Sequence, residues 1–154
     1  MNKLENKVVV ITGSARGIGF AIAHGFAQQG ALTIISDISQ EAVDSAVEKL
    51  KSEGFNADGF AMNVTDSAQV EETFKAITSK YKNIDVLVNN AGITKDTLIM
   101  RMKESDWDAV INVNLKGTFI CTQKVSRYML NQKSGSIINI ASVIGIMGNI
   151  GQSN

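Results

Sequence analysis

The fold of this chain is decided by residues 8–19, whose sequence is VVVITGSARGIG. The run from Val8 to Ile11 is continuous, apolar and β-branched, which predicts a strand buried on both faces, as in a parallel sheet. From Ile18 onward, apolar residues recur at the spacing of one helical face. The sequence therefore predicts a strand, a glycine-rich turn and a helix in direct succession.

The turn between this strand and this helix carries three glycines in the pattern G-x-x-x-G-x-G, at Gly13, Gly17 and Gly19. The pattern is a variant of the dinucleotide-binding fingerprint. We expect Gly13 to permit the tight turn, Gly17 to let the backbone approach a pyrophosphate, and Gly19 to let the helix pack closely on the sheet. The helix N-terminus also offers free N–H groups to an anion. A glycine turn without a ligand is the alternative, but the flanking strand and helix favour a nucleotide site.

Strands and helices alternate along the rest of the chain. Short apolar runs predict further strands at 32–35, 57–62, 84–88 and 137–140. Helical spacing of apolar residues predicts helices across 43–50 and 70–77, the second N-capped by Asp66, and one long helix across 104–131. Such alternation is typical of βαβ units with right-handed crossovers. We therefore predict one α/β domain over residues 1–154, a doubly wound parallel sheet of the Rossmann type with three α/β/α layers.

The composition excludes several classes of protein. The chain has 154 residues, 44% of them hydrophobic, which suits one folded domain rather than a disordered chain. Its 15 basic and 15 acidic residues balance, so we expect no nucleic-acid partner. Its apolar runs are too short to span a bilayer, so we expect no membrane association. The single cysteine, Cys121, cannot form an internal disulfide, which favours the cytoplasm, and the single histidine cannot build a metal site.

Asp37 and Arg16 are the residues that bear on the choice between NAD(H) and NADP(H). Asp37 stands at the end of the second predicted strand, where a carboxylate accepts hydrogen bonds from ribose hydroxyls and repels a 2′-phosphate. Arg16 lies inside the glycine loop, where a guanidinium could pair with that phosphate. Asp37 could instead cap the second helix, and Arg16 could be a solvated loop residue. We expect Asp37 to favour NAD(H), while Arg16 leaves NADP(H) open.

Two motifs taken together resemble the classical short-chain dehydrogenase/reductase family: residues 12–19 and the run Asn89-Asn90-Ala91-Gly92. Within that family, three segments resemble the bacterial 3-oxoacyl-acyl-carrier-protein reductases, namely 63–66, 92–103 and 140–149. The resemblance implies NAD(P)H-dependent reduction of a substrate linked to acyl carrier protein, in fatty-acid synthesis, by a homotetramer. A relative acting on acetoacetyl-CoA or a small alcohol or ketone, and a non-catalytic dinucleotide-binding module, are the alternatives.

The resemblance also implies roles for individual residues. It places Ser14, Arg16 and Ile18 beside the pyrophosphate and ribose. It places Asn63 and Val64 beside the adenine. It places Asn90, Ala91 and Gly92 along the nicotinamide-side ribose. It makes Asn89 a structural tie between strands. It implies that Asn114 holds a water at a helix kink and that Ser142 hydrogen-bonds the substrate carbonyl. From the residues alone, Asn114 could be a buried polar residue and Ser142 a small residue at a strand end.

The family pattern breaks after Ser142. In that family the proton donor is the tyrosine of a Tyr-x-x-x-Lys motif on the next helix. Neither Tyr81 nor Tyr128 has a lysine four positions later. We therefore expect residues 1–154 to be the N-terminal part of a longer reductase, without the C-terminal strands and helices of the family, and to be inactive alone. By analogy, the basic residues Lys124, Arg127 and Lys133 are a candidate docking surface for acidic acyl carrier protein.

Overall fold

A five-stranded parallel sheet forms the centre of the structure, a computed structural model that describes residues 3–154. Its strands are β1 (Val8–Thr12), β2 (Leu32–Asp37), β3 (Ala57–Ala61), β4 (Val86–Asn89) and β5 (Ser136–Asn139). They lie in the order β3-β2-β1-β4-β5. Every neighbouring pair is parallel, as the alternation of strands and helices predicted. From β1 the chain first adds β2 and β3 on one side and then β4 and β5 on the other. Open α/β sheets bind ligands at the point where the strand order switches sides in this way, here beside β1.

Helices cover both faces of this sheet. They are α1 (Gly17–Gln28), α2 (Gln40–Ser52), α3 (Ser67–Tyr81), α4 (Glu104–Val110), α5 (Thr118–Gln132) and the short α6 (Ile144–Met147). The predicted doubly wound α/β fold is therefore confirmed. Because successive side chains of a strand point to opposite faces, β1 contributes Val10 to one core and Val9 to the other. The first core packs against Phe74 of α3 and Val125 of α5, and the second against Val43 of α2.

The strand β1 is buried along its whole length, as its unbroken β-branched run predicted. The predicted cap of α3 is also confirmed, because one carboxylate oxygen of Asp66 accepts hydrogen bonds from Ala68 N and Gln69 N, each at 3.0 Å. The Gln69 side chain reaches back past the cap, and its Oε1 accepts a hydrogen bond from Asn63 N at 2.7 Å. The first turn of α3 thereby fixes the loop that follows β3.

The long helical region predicted across 104–131 is confirmed in extent, but it is not one uniform α-helix. α4 ends at Val110, a π-helical segment follows over Ile111–Gly117, and α5 begins at Thr118. Such a widened segment needs tertiary support, and here Asn114 provides it by hydrogen-bonding the backbone of Ile93. These contacts join positions 21 residues apart, so helical periodicity could not reveal them.

The fourth strand begins two residues later than predicted, at Val86 rather than at position 84. The backbone of Ile84 is already paired with the side chain of Gln132 at the end of α5. Ile84 N donates to Gln132 Oε1 at 3.1 Å, and Gln132 Nε2 donates to the Ile84 carbonyl at 3.0 Å. Ile84 is fully buried and belongs to the core, but its backbone holds a helix end rather than a strand.

Candidate functional site

A cavity of about 480 Å³ lies at the carboxyl ends of β1, β2 and β4. Almost all the residues predicted to bind a dinucleotide line it, namely Gly13, Arg16, Gly17, Ile18, Gly19, Asp37, Asn63, Val64, Asn90, Ala91 and Gly92. Four further residues complete the wall: Ile38, Met62, Ile93 and Val113. The structure thus brings together, at the switch point of the sheet, loops that are up to about 80 positions apart in the sequence.

Ser14 is the exception among the predicted residues. It is fully buried and does not line the cavity. Its Oγ donates to the Ile11 carbonyl at 2.7 Å and accepts a hydrogen bond from Ser36 N at 3.1 Å. The Ser14 hydroxyl therefore joins β1 to β2 beneath the glycine turn, and the place of Ser14 beside a pyrophosphate stays a prediction.

Thr12 holds the first two cavity loops together, and the sequence analysis did not identify this role. Its Oγ1 accepts hydrogen bonds from Asn90 N and Ala91 N, each at 3.0 Å. In addition, Asn90 Nδ2 donates to the Thr12 and Gly13 carbonyls, each at 2.9 Å. The threonine at the end of β1 and the second asparagine after β4 were the signals available, but their pairing follows from the contact of β1 with β4.

Each of the three glycines has a distinct reason to lack a side chain. Gly13 has φ +62°, and a Cβ there would lie 2.7 Å from Ala91 Cα, so the loop after β4 crowds this position. A Cβ at Gly19 would meet the Gly13 carbonyl at 2.3 Å. Gly17 has φ +58° and faces open space, because a Cβ there would meet no atom within 4 Å. Gly17 is thus the glycine that leaves backbone accessible from the cavity.

Asp37 is held rigidly at the rim of the cavity. One carboxylate oxygen accepts a hydrogen bond from Ala15 N at 3.2 Å, and the other accepts one from Ile38 N at 2.8 Å. Asp37 does not cap α2, because that position belongs to Ser39, whose Oγ accepts from Ala42 N. The alternative interpretation of Asp37 as a helix cap is therefore wrong. Its carboxylate instead ties the glycine turn to the end of β2 while facing the cavity.

Arg16 is the residue whose charge, in the sequence analysis, leaves NADP(H) open as the cofactor. It is exposed, lines the same cavity as Asp37, and makes no ion pair within residues 3–154. It also occupies the N-cap position of α1, which no side chain caps. The first N–H groups of α1 consequently face the cavity without a side-chain partner, which is the arrangement that binds anions at helix N-termini.

The loops that follow β2 and β3 contribute apolar side chains to one end of the cavity. Ile38 is 71% exposed there, whereas Val64 is buried against Gly117 of the π-helical segment. Asn63 keeps the loop after β3 in place, because its Oδ1 accepts hydrogen bonds from both Thr65 N and Thr65 Oγ1. An isoleucine as exposed as Ile38 at the rim of a cavity suits the flat face of a base. Its position directly after Asp37 was the sequence signal that could have identified it.

A second cavity, of about 460 Å³, lies beside the first and shares Ile93 with it. Asn114 and Ser142 both line this second cavity. The Asn114 side chain does not project freely into it, because Oδ1 accepts from Ile93 N at 2.9 Å and Nδ2 donates to the Ile93 carbonyl at 3.0 Å. Asn114 thus lies in a distorted helical segment, as the kink implied by the family resemblance requires.

Ser142 follows β5 and is exposed. Its Oγ accepts a hydrogen bond from Ile144 N at 3.2 Å, which leaves the hydroxyl proton available as a donor toward the cavity. A donor held this way at the carboxyl edge of a parallel sheet can stabilise negative charge that develops on a carbonyl oxygen.

Asn89 lies beneath both cavities and is buried. Its Nδ2 donates to Asn139 Oδ1 at 2.8 Å and to Thr122 Oγ1 at 3.0 Å. These bonds connect β4 to β5 and to α5, which is the structural role that the sequence analysis implied for Asn89.

Other candidate groups lie away from these cavities. Cys121 is fully buried, and burial raises the pKa of its thiol to about 12, so its side chain behaves as part of the core. His24 pairs with Glu53 at 2.6 Å between α1 and α2. Among residues 3–154, no cluster of three or more His, Cys, Asp or Glu side chains could hold a metal ion. In the same part of the chain, no helix combines the length and apolarity needed to cross a bilayer.

The fold and the glycine-rich cavity are those of a known family. The family model for short chain dehydrogenase matches residues 7–154, and the chain belongs to that family.

Among curated proteins, the chain is 55% identical over 152 residues to the 3-oxoacyl-[acyl-carrier-protein] reductase FabG of Thermotoga maritima, covering 99% of this chain and 62% of that protein. It is 47% identical to the corresponding reductase of Staphylococcus epidermidis, covering 97% of this chain and 62% of that protein. It is also 47% identical to the 3-oxoacyl-[acyl-carrier-protein] reductase of Synechocystis, covering the whole chain and 63% of that protein. The chain thus spans slightly less than two thirds of the length of these relatives.

Solved structures agree with this assignment. The crystal structure of gox2181 superposes with a TM-score of 0.94 at 34% identity, covering 96% of this chain and 58% of that one. An NAD+-bound xylitol dehydrogenase also superposes with a TM-score of 0.94, at 30% identity, covering 98% of this chain and 58% of that one.

Proposed function

We propose that this protein uses a nicotinamide dinucleotide to reduce 3-oxoacyl groups carried by acyl carrier protein, in fatty-acid synthesis. The observation that carries the proposal is the junction of two cavities at Ile93, one built from a dinucleotide fingerprint and the other containing Ser142 and Asn114. Hydride transfer needs the reacting atoms of the two ligands to lie about 3–3.5 Å apart, which adjoining cavities allow. The names of the reductases to which the chain is about half identical support the choice of substrate.

The first cavity fits a dinucleotide on two structural grounds. The N-terminus of α1 has no side-chain cap, so its N–H groups are available to a pyrophosphate. Gly17 faces open space, which lets that anion approach the backbone. In the proposal, Asn90, Ala91 and Gly92 lie along the nicotinamide-side ribose, and Asn63 and Val64 lie beside the adenine with Ile38.

The proposed cofactor is NAD(H) in preference to NADP(H). The fixed carboxylate of Asp37 offers two oxygens at the rim where the adenosine ribose would lie, and it would repel a 2′-phosphate. Arg16 faces the same cavity and could partly offset that repulsion. The carboxylate has the stronger influence because its position is fixed by two backbone N–H groups, whereas Arg16 is exposed and has no such support.

In the second cavity, the Ser142 hydroxyl donates a hydrogen bond to the ketone oxygen and stabilises the negative charge that forms there, without giving up its proton. The bound nicotinamide supplies the hydride. Asn114 holds Ile93 at the junction of the cavities and keeps the π-helical segment in place for a relay water. Neither Tyr81 nor Tyr128 lines either cavity. The proposal therefore assigns the proton donor to a tyrosine outside residues 3–154, in a longer reductase, and expects this chain alone to be inactive.

The proposed partner is acidic acyl carrier protein, and the proposed assembly is a homotetramer. Of the three basic residues considered for docking, Lys124 is already paired with Glu71 on α3 at 2.9 Å. Arg127 and Lys133 are exposed and make no ion pair within residues 3–154, so the docking surface reduces to these two residues. A small alcohol or ketone is the second candidate substrate, and the likeness to a xylitol dehydrogenase favours it.

The substrate class is tested in the longer reductase of the proposal, by comparing reduction of an acetoacetyl group on acyl carrier protein and of acetoacetyl-CoA with NADH or NADPH against oxidation of xylitol with NAD+ or NADP+. We expect the carrier-linked ketone to have the highest kcat/KM, and a preference for xylitol would support the second candidate instead. If the longer protein binds NADH but turns over none of these, it is a non-catalytic dinucleotide-binding module. We expect Ser142→Ala to lower kcat at least about a hundredfold with NADH affinity unchanged, and Ser142→Thr, which keeps the hydroxyl, to lower it less.

A further inference from the structure

Residues 95–97 and residues 151–154 are joined by three hydrogen bonds, and we call this contact the clasp. Gln152 Nε2 donates to Asp96 Oδ2 at 3.0 Å. Thr97 N donates to the Gly151 carbonyl at 2.8 Å, and Asn154 Nδ2 donates to the Lys95 carbonyl at 3.1 Å. The clasp therefore binds the loop after β4 to the segment after β5, at positions more than 50 residues apart in the sequence.

The two partners of the clasp lead to the two functional residues of the second cavity. On one side, Lys95 lies two positions after Ile93, which the Asn114 side chain holds. On the other side, the chain runs back from Gly151 through α6 to Ser142. Asp96 and Gln152 themselves line the second cavity. The clasp is thus a direct polar connection between the Asn114 side and the Ser142 side of one cavity.

Apolar burial contributes little to the position of the Ser142 segment. From 141 to 150, every residue except Ile144 is exposed, and Ile146 is 90% exposed. Because hydrophobic burial is the main stabilising contribution elsewhere in a fold, a segment without it depends on its hydrogen bonds. The hydrogen bonds of the clasp are the ones that connect this segment to the loop after β4.

The side chains of the clasp are oriented by a further contact. Asn149 Nδ2 donates to Gln152 Oε1 at 3.2 Å, so the amide oxygen of Gln152 faces Asn149 and its nitrogen faces Asp96. A carboxylate at position 152 would place two acceptors of like charge against each other. The pair therefore requires one donor and one acceptor.

We infer that Asp96 and Gln152 are positioning residues, which hold the Ser142 segment so that Ser142 faces the cavity shared with Asn114. The inference rests on the proposed function, in which Ser142 contacts the substrate ketone. Neither residue lines the cofactor cavity. Breaking the pair should therefore lower the rate of reduction without weakening cofactor binding.

The test uses five variants: Asp96→Ala, Asp96→Asn, Gln152→Glu, the double variant D96N/Q152E, and Asp44→Ala as a matched control on α2. Asp96→Ala removes the acceptor, and Gln152→Glu opposes two carboxylates. Asp96→Asn retains an acceptor oxygen, and the double variant restores one donor and one acceptor with their places exchanged. Asp44 accepts a hydrogen bond from Gln40 within its own helix, so its replacement should leave the clasp unchanged.

Each variant is made in the longer reductase of the proposal, and three quantities are measured for it: amide hydrogen exchange of residues 144–148, the Kd for NADH, and kcat for acetoacetyl-CoA reduction. In Asp96→Ala and Gln152→Glu we expect exchange to be about tenfold faster, kcat about tenfold lower, and Kd within about twofold of the wild type. Asp96→Asn and the double variant should have exchange rates and kcat values much closer to those of the wild type.

Different results overturn different inferences. If the wild-type protein turns over acetoacetyl-CoA and Asp96→Ala keeps the same kcat, Asp96 and Gln152 do not position Ser142. If Asp96→Asn or the double variant is as slow as Asp96→Ala, the donor–acceptor pair is not the cause and the inference also fails. If the longer wild-type reductase binds NADH but reduces no 3-oxoacyl substrate, the proposed function fails, and the positioning role fails with it.

Discussion

Asn90 donates two hydrogen bonds to Thr12: Asn90 N donates to Thr12 Oγ1 at 3.0 Å, and Asn90 Nδ2 donates to the Thr12 carbonyl at 2.9 Å. One residue ends β1 and the other follows β4, so this pair fixes the distance between two walls of the cofactor cavity. Thr12 is 1% exposed, which removes water as a substitute partner. The shape of the cavity therefore depends on one buried hydroxyl.

Replacing Thr12 by Val tests this dependence. Valine retains the shape and strand propensity of threonine but leaves Asn90 N and Ala91 N without their shared acceptor. We expect the free energy of unfolding to fall by about 2 kcal/mol, together with weaker NADH binding. Urea unfolding and fluorescence titration measure the two effects. Thr12→Ser retains the hydroxyl and should behave nearly as the wild type, whereas equal losses in both variants would show that the methyl group matters instead.

Two glycines of α1 provide an internal comparison of crowding with helix propensity. A side-chain carbon at Gly19 would lie 2.3 Å from the Gly13 carbonyl, whereas one at Gly25 would meet no atom within 4 Å. Gly25→Ala should therefore stabilise the protein by about 0.5–1 kcal/mol through helix propensity. Gly19→Ala should destabilise it by about 2 kcal/mol because the glycine turn must move away. Thermal unfolding distinguishes the two, and a stabilising Gly19→Ala would contradict the tight contact.

Asp37 is expected to govern the choice between cofactors. Removing the charge in Asp37→Asn eliminates the repulsion of a 2′-phosphate and keeps one oxygen acceptor for the backbone. We expect the ratio of NADPH Kd to NADH Kd to fall about tenfold, which corresponds to ~1.4 kcal/mol. Arg16→Ala is the opposite control and should weaken NADPH binding more than NADH binding. An unchanged ratio in Asp37→Asn would mean that the carboxylate does not contact the ribose.

The sequence predicted those parts of the fold and the site that local patterns determine. The run from Val8 to Ile11 and the glycines after it have the required spacing within 12 consecutive residues, and the structure shows the strand, turn and helix there. The direction in which a polar side chain points was less accessible. Ser14 is a hydroxyl residue in the glycine loop, where a contact with the ligand is expected. Pairing of β1 with β2, however, places its hydroxyl against Ser36 N.

Contacts between distant positions account for the other differences. The π-helical segment depends on Asn114 bonding to Ile93, 21 residues away, so the helical spacing on either side of it looks continuous in the sequence. Likewise, the clasp joins Asp96 to Gln152 across 56 positions and has no periodic signal. Periodicity reports how one element faces the core. It does not report which polar groups meet once the elements have packed.

Away from the cavities, a polar cluster on β3 and α3 predicts how stability depends on pH. Burial by itself raises the pKa of Asp58, but hydrogen bonds from Lys80 and Tyr81 outweigh this and hold its pKa below the ordinary 3.8. Lys80 Nζ lies 2.8 Å from Asp58 Oδ2, and Tyr81 Oη lies 2.5 Å from the same oxygen. Because the folded-state pKa is lowered, the charged carboxylate stabilises the fold above pH 3.8. That contribution is lost as the pH falls through the folded-state value.

Asp58→Asn should therefore unfold at a lower urea concentration than the wild type at pH 7, and the difference should shrink as the pH falls below about 3.8. Urea midpoints measured between pH 2.5 and 7, in steps of about half a unit, follow this convergence. Tyr81→Phe removes one donor and keeps Lys80, so it should retain part of the pH dependence. A difference between Asp58→Asn and wild type that stays constant over the whole range would show that the Asp58 pKa is not lowered by folding.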